Sequence, residues 1–261
     1  PFGAKTADPY IKVATAGYAG IQDRYIMTMA YWMRANRTDG CIAMDAFNVH
    51  TYFGKYFYMN DQSICVGVSP EEYGLVDAMA ALVQYRDKYY PDVEVWLTEF
   101  GWDTNQSYET MTSAHAYNTQ DLNGDGEISE YEKVMRAREI QGMWLVRAYL
   151  LMSASGVDKA TMYMCEDGTS EDTTDNVQYG TCGVIDYQGN KKDSYFYIYT
   201  LKETLKDYTF VQEIDSGRSN VLIYQFADAN GNWGEDIAAK DFEDQILVRY
   251  TDFAAKARER F

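Results

Sequence analysis

Four β-rich segments, each followed by a stretch of helical periodicity, run in series through this sequence. That alternation restricts the chain to an α/β fold with a parallel sheet and right-handed crossovers. Ile11–Ala16 is the first β-rich run and ends at Gly17; Ile21–Arg37 follows, with Ile26, Met29, Ala30 and Met33 on one helical face. Ile42–His50 is the second strand, leading into Thr51-Tyr52, and a loop rich in Tyr, Phe and Gly is expected up to Val68. Ser69 is a good N-cap, Pro70 fits a first helical turn and Glu72 stands three residues after the cap, so a helix is predicted from there to about Tyr89. Val93–Phe100 reads as the third strand, Ser129–Ser155 as containing a long helix, Lys159–Met164 as the fourth strand and Asp193–Lys206 as the fourth helix. Part of a (β/α)8 barrel and a doubly wound open sheet both satisfy this order. No glycine-rich phosphate loop follows any strand, which weighs against nucleotide binding.

Past the fourth helix the period changes to two. Tyr208–Ile214 and Asn220–Phe226 alternate around Asp215-Ser216-Gly217, the pattern of a β-hairpin. Asp236–Glu259 has the spacing of an amphipathic helix. The predicted division is residues 1–207 as the α/β unit, with an insertion at about 104–132, and 208–261 as a β-rich accessory region.

The charge of -17 disfavours nucleic acid and anionic membranes, because phosphate binding needs clustered Lys and Arg. No run approaches the roughly 20 apolar residues of a membrane span. Neutral polymers such as polysaccharides are compatible partners. The 24 Tyr and 5 Trp suit stacking on sugar rings and equally suit core packing. Cys41, Cys65, Cys165 and Cys182 show no CxxC spacing, so a zinc site is not expected. Their even number fits an oxidising compartment, with Cys165–Cys182 able to close one loop, or four buried thiols. The chain begins Pro1-Phe2-Gly3 without a leader, the expectation for a mature or truncated product.

In parallel α/β sheets the active site lies at the C-terminal strand ends, where polar residues need a reason. Three strands supply them: Glu99 on the third, Asn48, His50 and Tyr52 on the second, and Glu166 and Asp167 after the fourth. A glycosidase needs one carboxylate to attack an oxocarbenium-like centre and a second carboxyl to donate a proton. Glu99 suits the first role, with an imidazole and a phenol donating to it to keep it ionised; Trp102 offers a stacking wall. The competing readings are a structural Glu99 paired with Arg, a core or rim His50, and a solvated acidic loop at Glu166-Asp167.

Trp96–Asp103 (WLTEFGWD) resembles the seventh-strand nucleophile motif of the clan A retaining glycoside hydrolases, and Phe47–Tyr52 (FNVHTY) resembles their sixth strand. Gln141–Tyr149, Tyr179–Asp186 and Asp193–Phe196 are similar to the seventh helix, the loop after the eighth strand and the eighth helix. The resemblance covers about residues 10–207 and extends to polysaccharide-degrading members of the agarase or porphyranase kind. It implies a (β/α)8 TIM barrel with Glu99 as nucleophile, His50 and Tyr52 lining the sugar subsite, Asn48, Trp102 and Glu166 contacting sugar, and a secreted, periplasmic or cell-surface enzyme. The family's acid/base is usually the Glu of an Asn-Glu pair on the fourth strand, and this sequence has no such pair. The expectation is therefore strands five to eight only, with an N-terminal half-barrel as missing partner and no activity alone on unactivated glycosides. Recruitment of Asp45 or Glu166 as acid is the alternative.

Asp121–Glu132 matches an EF-hand loop position by position: Asp121, Asn123, Asp125, Ser129 and Glu132 supply side-chain oxygens, Glu127 a carbonyl, and Gly126 the turn. Only one such loop is present, so a structural calcium ion is expected rather than a paired sensor. The leading expectation is a retaining β-glycan hydrolase; a non-catalytic carbohydrate-binding or scaffold protein and a calcium-regulated binding module are the alternatives.

Overall fold

The computed structural model describes residues 2–59, 62–105, 126–127, 129–172, 178–218 and 221–231, with the side chains of 2, 56–59, 62–66 and 130–132 left aside. The order is α1 (Phe2–Ala7), β1 (Tyr18–Ala19), α2 (Asp23–Asn36), β2 (Ala46–His50), β3 (Gly54–Met59), β4 (Gln62–Gly67), α3 (Pro70–Tyr73), α4 (Leu75–Tyr89), β5 (Glu94–Glu99), α5 (Glu130–Ala154), β6 (Lys159–Ala160), α6 (Asp193–Leu205), β7 (Tyr208–Ile214) and β8 (Ile223–Asp228). β1, β2, β5 and β6 form one parallel sheet in that order. No described helix is long and apolar enough to cross a membrane.

Within the described residues the predicted strands and helices are present with four changes, one being that the fourth strand, expected over Lys159–Met164, pairs only at Lys159–Ala160 as β6. The first strand is displaced: Ile11–Ala16 runs beside β2 but makes a single regular bridge, Ala14 to Ala46. Side chains break its ladder, because Asp45 Oδ2 takes the Val13 N–H and Thr15 Oγ1 takes the Asn48 N–H, both at 2.7 Å. The expected loop before Val68 is instead the antiparallel hairpin β3–β4. The Ser69 cap works as predicted, accepting the Glu72 N–H at 3.2 Å, but the helix breaks at Gly74 into α3 and α4. The hairpin β7–β8 pairs as read from its alternation. The segment 236–259 lies outside the described residues.

Apolar faces of α2, α4 and α5 close over the sheet. Phe47 and Val49 of β2 and Val95 and Leu97 of β5 are fully buried against Ile26 and Ala30, Leu75, Met79 and Leu82, and Leu145 and Ala148. The alternate positions Asn48, His50, Trp96 and Thr98 are only part-buried, which defines the other face of the sheet. Arg86 of α4 fastens the N-terminal edge. It donates to the Val93 and Gly156 carbonyls at 3.2 and 2.8 Å and pairs with Asp158, whose carboxylate also takes the Val95 N–H.

A buried ionic cluster holds the loops at the opposite, C-terminal edge. Lys192 is fully buried; its Nζ donates to Thr104 Oγ1 and the Thr181 carbonyl and pairs with Asp167 at 2.6 Å and Glu171 at 3.2 Å. Arg138 of α5 binds Glu171 and reaches Asp186 at 3.0 Å. Asp167 is therefore no part of a solvated loop: burial pushes its carboxyl up to about 7, against the pull of Lys192. Cys165 and Cys182 are free thiols, exposed and buried respectively, so they do not close the loop between them. Buried Gln141 ties α5 to the same loops, donating to the Trp102 carbonyl at 2.7 Å while accepting from Ser194 of α6.

Replacing Arg86 by Met should lower the unfolding free energy by about 3 kcal/mol, since two carbonyls and a carboxylate lose their donor. Urea denaturation measures this, and a loss under about 1 kcal/mol would show the interaction to be idle. Asp167 gives a pH test. An acid whose folded value lies above its ordinary 3.8 costs stability as it ionises, so its contribution falls as pH rises from about 4 to about 7. Asp167→Asn should therefore gain on the wild type over that window, in urea melts at both ends; a constant difference would contradict the shift.

Candidate active site

Two strand ends meet at Glu99. In regular alternation Glu99 would follow Val95 and Leu97 to the helix-covered face. The β2–β5 register shifts instead: Val49 pairs with Leu97, but His50 pairs with Glu99, and Thr98 is the extra residue. Such a bulge re-aims the side chains around it. Here it brings Glu99 onto His50, with Oε2 at 3.3 Å from His50 Nδ1 and 3.3 Å from the Tyr52 hydroxyl, which donates to it. The Glu99 side chain is 37% exposed and that of His50 22%, so the carboxylate is open to a ligand while its partners are held. Among the described residues no Arg or Lys pairs with Glu99.

Each partner is seated by close packing. A Cβ on Gly17 would lie 2.1 Å from His50 Nε2, so the ring rests against bare backbone that only glycine supplies. Burial first, and then Cys182, Glu99 and Tyr179, raise the Tyr52 phenol well beyond its usual range, so it acts as a donor. The Tyr52 ring packs on Tyr179 at 4.4 Å. Tyr179 adopts φ +66 and donates its N–H to Asp103, a fully buried carboxylate that also takes the Thr181 N–H and hydroxyl. Asp103 and Tyr179 have no local sequence signal for this role, because their partners lie more than 70 residues apart.

Trp102 corrects the sequence reading. It is fully buried, packs on Phe53 at 4.8 Å and Trp144 at 5.4 Å, and donates its indole N–H to the Val68 carbonyl. It is a core residue and offers no wall to a sugar. Asn48 lies beside His50 on the same strand, its Oδ1 accepting from Thr98 at 2.7 Å, and Thr98 in turn stands 3.0 Å from His50 Nε2. Glu166 is exposed beyond β6, and its backbone bridges Ile185; no described contact joins it to Glu99, His50 or Tyr52. Asp45 lies at the N-terminal end of β2, the far end from Glu99, and pairs with Lys5, which removes it as a proton donor there.

Of the calcium-loop residues, Asp121, Asn123 and Asp125 lie outside the described residues, as does the side chain of Glu132. Glu127 and Ser129 are described and exposed, and Gly126 has φ +91.

No protein-family model matches the chain, and no curated protein matches it. Among solved structures it is similar to a monomeric beta-xylosidase from Caulobacter crescentus CB15, with a TM-score of 0.51 and 16% identity over 86% of this chain and 36% of that one. It is also similar to a family 39 glycoside hydrolase from the gut symbiont Bacteroides cellulosilyticus WH2, with a TM-score of 0.56 and 18% identity over 88% of this chain and 40% of that one. The chain thus spans less than half the length of either structure. At such identity the likeness is one of fold, and it favours the barrel over the doubly wound sheet: the α/β architecture of this chain is like that of part of these two TIM-barrel structures.

Proposed function

We propose that this chain supplies the nucleophile side of the active site of a retaining hydrolase of β-linked glycans. The observation that carries this is Glu99, an open carboxylate at the end of a parallel strand, receiving the Tyr52 hydroxyl and facing the His50 imidazole. In the first step a Glu99 oxygen bonds to the anomeric carbon as the glycosidic C–O bond breaks, and a general acid protonates the departing oxygen. Water then releases the sugar, restoring the carboxylate. Tyr52 and His50 orient Glu99, while Asn48 and Glu166 are candidates to contact the sugar.

The general acid in this reading comes from a second part of the barrel. Its source is an N-terminal half-barrel partner, without which the chain is inactive on unactivated glycosides. The likeness to less than half of each solved structure supports this. A β-xyloside is the first substrate to test, followed by agarose, and the setting is extracytoplasmic. In the assembled enzyme Glu99→Gln should lower turnover on the order of 10³-fold or more with folding intact; retained turnover rejects the nucleophile. The second reading is a non-catalytic carbohydrate-binding protein, favoured by the lack of an Asn-Glu pair. An activated fluoro-sugar separates the two, because a working nucleophile becomes covalently labelled.

A calcium ion held by Asp121, Asn123, Asp125, the Glu127 carbonyl, Ser129 and Glu132 would fix the insertion after β5. The turn at Gly126 and the start of α5 at Glu130 fit an EF-hand loop running into its exit helix. Millimolar calcium should raise the melting temperature by about 3 °C or more, with no change in far-UV circular dichroism, and Asp121→Ala should abolish the gain. No shift would reject the site, and a large spectral change would favour the regulated-module reading.

A further inference from the structure

Thr98, the extra residue of the β5 bulge, stands between two polar partners. Its Oγ1 lies 2.7 Å from Asn48 Oδ1 and 3.0 Å from His50 Nε2. The Asn48 side chain presents its amide oxygen, which has no hydrogen to give, to the Thr98 hydroxyl. Thr98 therefore gives its hydrogen to the Asn48 amide oxygen. A hydroxyl has one hydrogen, so toward His50 it can only accept. We propose that Thr98, itself oriented by Asn48, is a positioning residue that keeps a hydrogen on His50 Nε2 and turns Nδ1 toward Glu99.

The surroundings of the ring agree with this. Gly17 leaves no room for a side chain at the Nε2 edge. Among the described residues the titratable group at hydrogen-bond distance from the His50 ring is Glu99 from β5, which also receives the Tyr52 hydroxyl. His50 Nδ1 stands 3.3 Å from Glu99 Oε2, and a hydrogen bond between the two needs a hydrogen on one of them. The reversed chain, with the Asn48 amide donating to Thr98 and Thr98 to His50, would leave Nε2 bare. The placement of hydrogen is independent of the hydrolase reading; its effect on turnover rests on that reading.

Two histidines, His50 and His115, occur in the chain, so ¹⁵N-labelled protein with and without His115→Gln assigns His50. Long-range ¹H–¹⁵N correlations from the ring C–H groups show which nitrogen carries hydrogen. Wild type and Thr98→Ser should show a protonated Nε2, whereas Thr98→Val, which keeps the shape without the acceptor, should move hydrogen from Nε2 toward Nδ1. A bare Nε2 in the wild type overturns the proposal, as does an unchanged pattern in folded Thr98→Val. The wild-type spectrum decides the polarity even should that variant misfold. In the assembled enzyme Thr98→Val should lower kcat about tenfold with KM nearly constant, and Thr98→Ser should restore it; undiminished kcat would overturn the positioning role. Full activity of Glu99→Gln would instead sink the hydrolase reading and leave the nitrogen spectra untouched.

Discussion

The site depends on one extra residue in the pairing of two strands. β2 and β5 run in register through Val49 and Leu97, and then Thr98 is skipped so that His50 meets Glu99. Without that shift, the period of two would send Glu99 to the face where Val95 and Leu97 pack under the helices. An ionised carboxylate there would lose its water without gaining a partner, at a cost of several kcal/mol. The bulge instead brings the carboxylate, the imidazole and the Tyr52 phenol to one strand end and gives the Thr98 hydroxyl two neighbours on β2.

A second layer of charge holds the loops around that strand end. Lys192, Asp167, Glu171, Arg138 and Asp186 come from α5, the edge of α6 and the loop between them, and they pair where almost no water reaches. Buried ion pairs contribute little net stability, since desolvation offsets most of their attraction. What they impose is position, because a loop that strays leaves a charge unpaired. Asp103 extends this control to the site. It fixes the backbone of Tyr179, whose ring backs Tyr52, which in turn donates to Glu99.

Much of this was legible in the residues. The series of strands and helices, the Ser69 cap, the terminal hairpin and the Glu99, His50 and Tyr52 trio all followed from period, capping chemistry and strand-end polarity. Trp102 was misread because an aromatic next to a candidate carboxylate fits a sugar wall and a core equally well, and only the placement of Phe53 and Trp144 around it decides. The hairpin β3–β4 was missed because a Tyr- and Phe-rich stretch without a strong turn dipeptide gives little local signal. Asp167 looked solvated because its partner Lys192 is distant in sequence.

Local chemistry in the sequence determined which segments become strands and helices and which strand ends carry polar groups. Those properties depend on residues within a turn or two of one another. The tertiary structure alone decided the face that Glu99 occupies, the burial of Trp102 and the pairing of Lys192. Each depends on register or on long-range packing, and neither is a property of any short window of the chain.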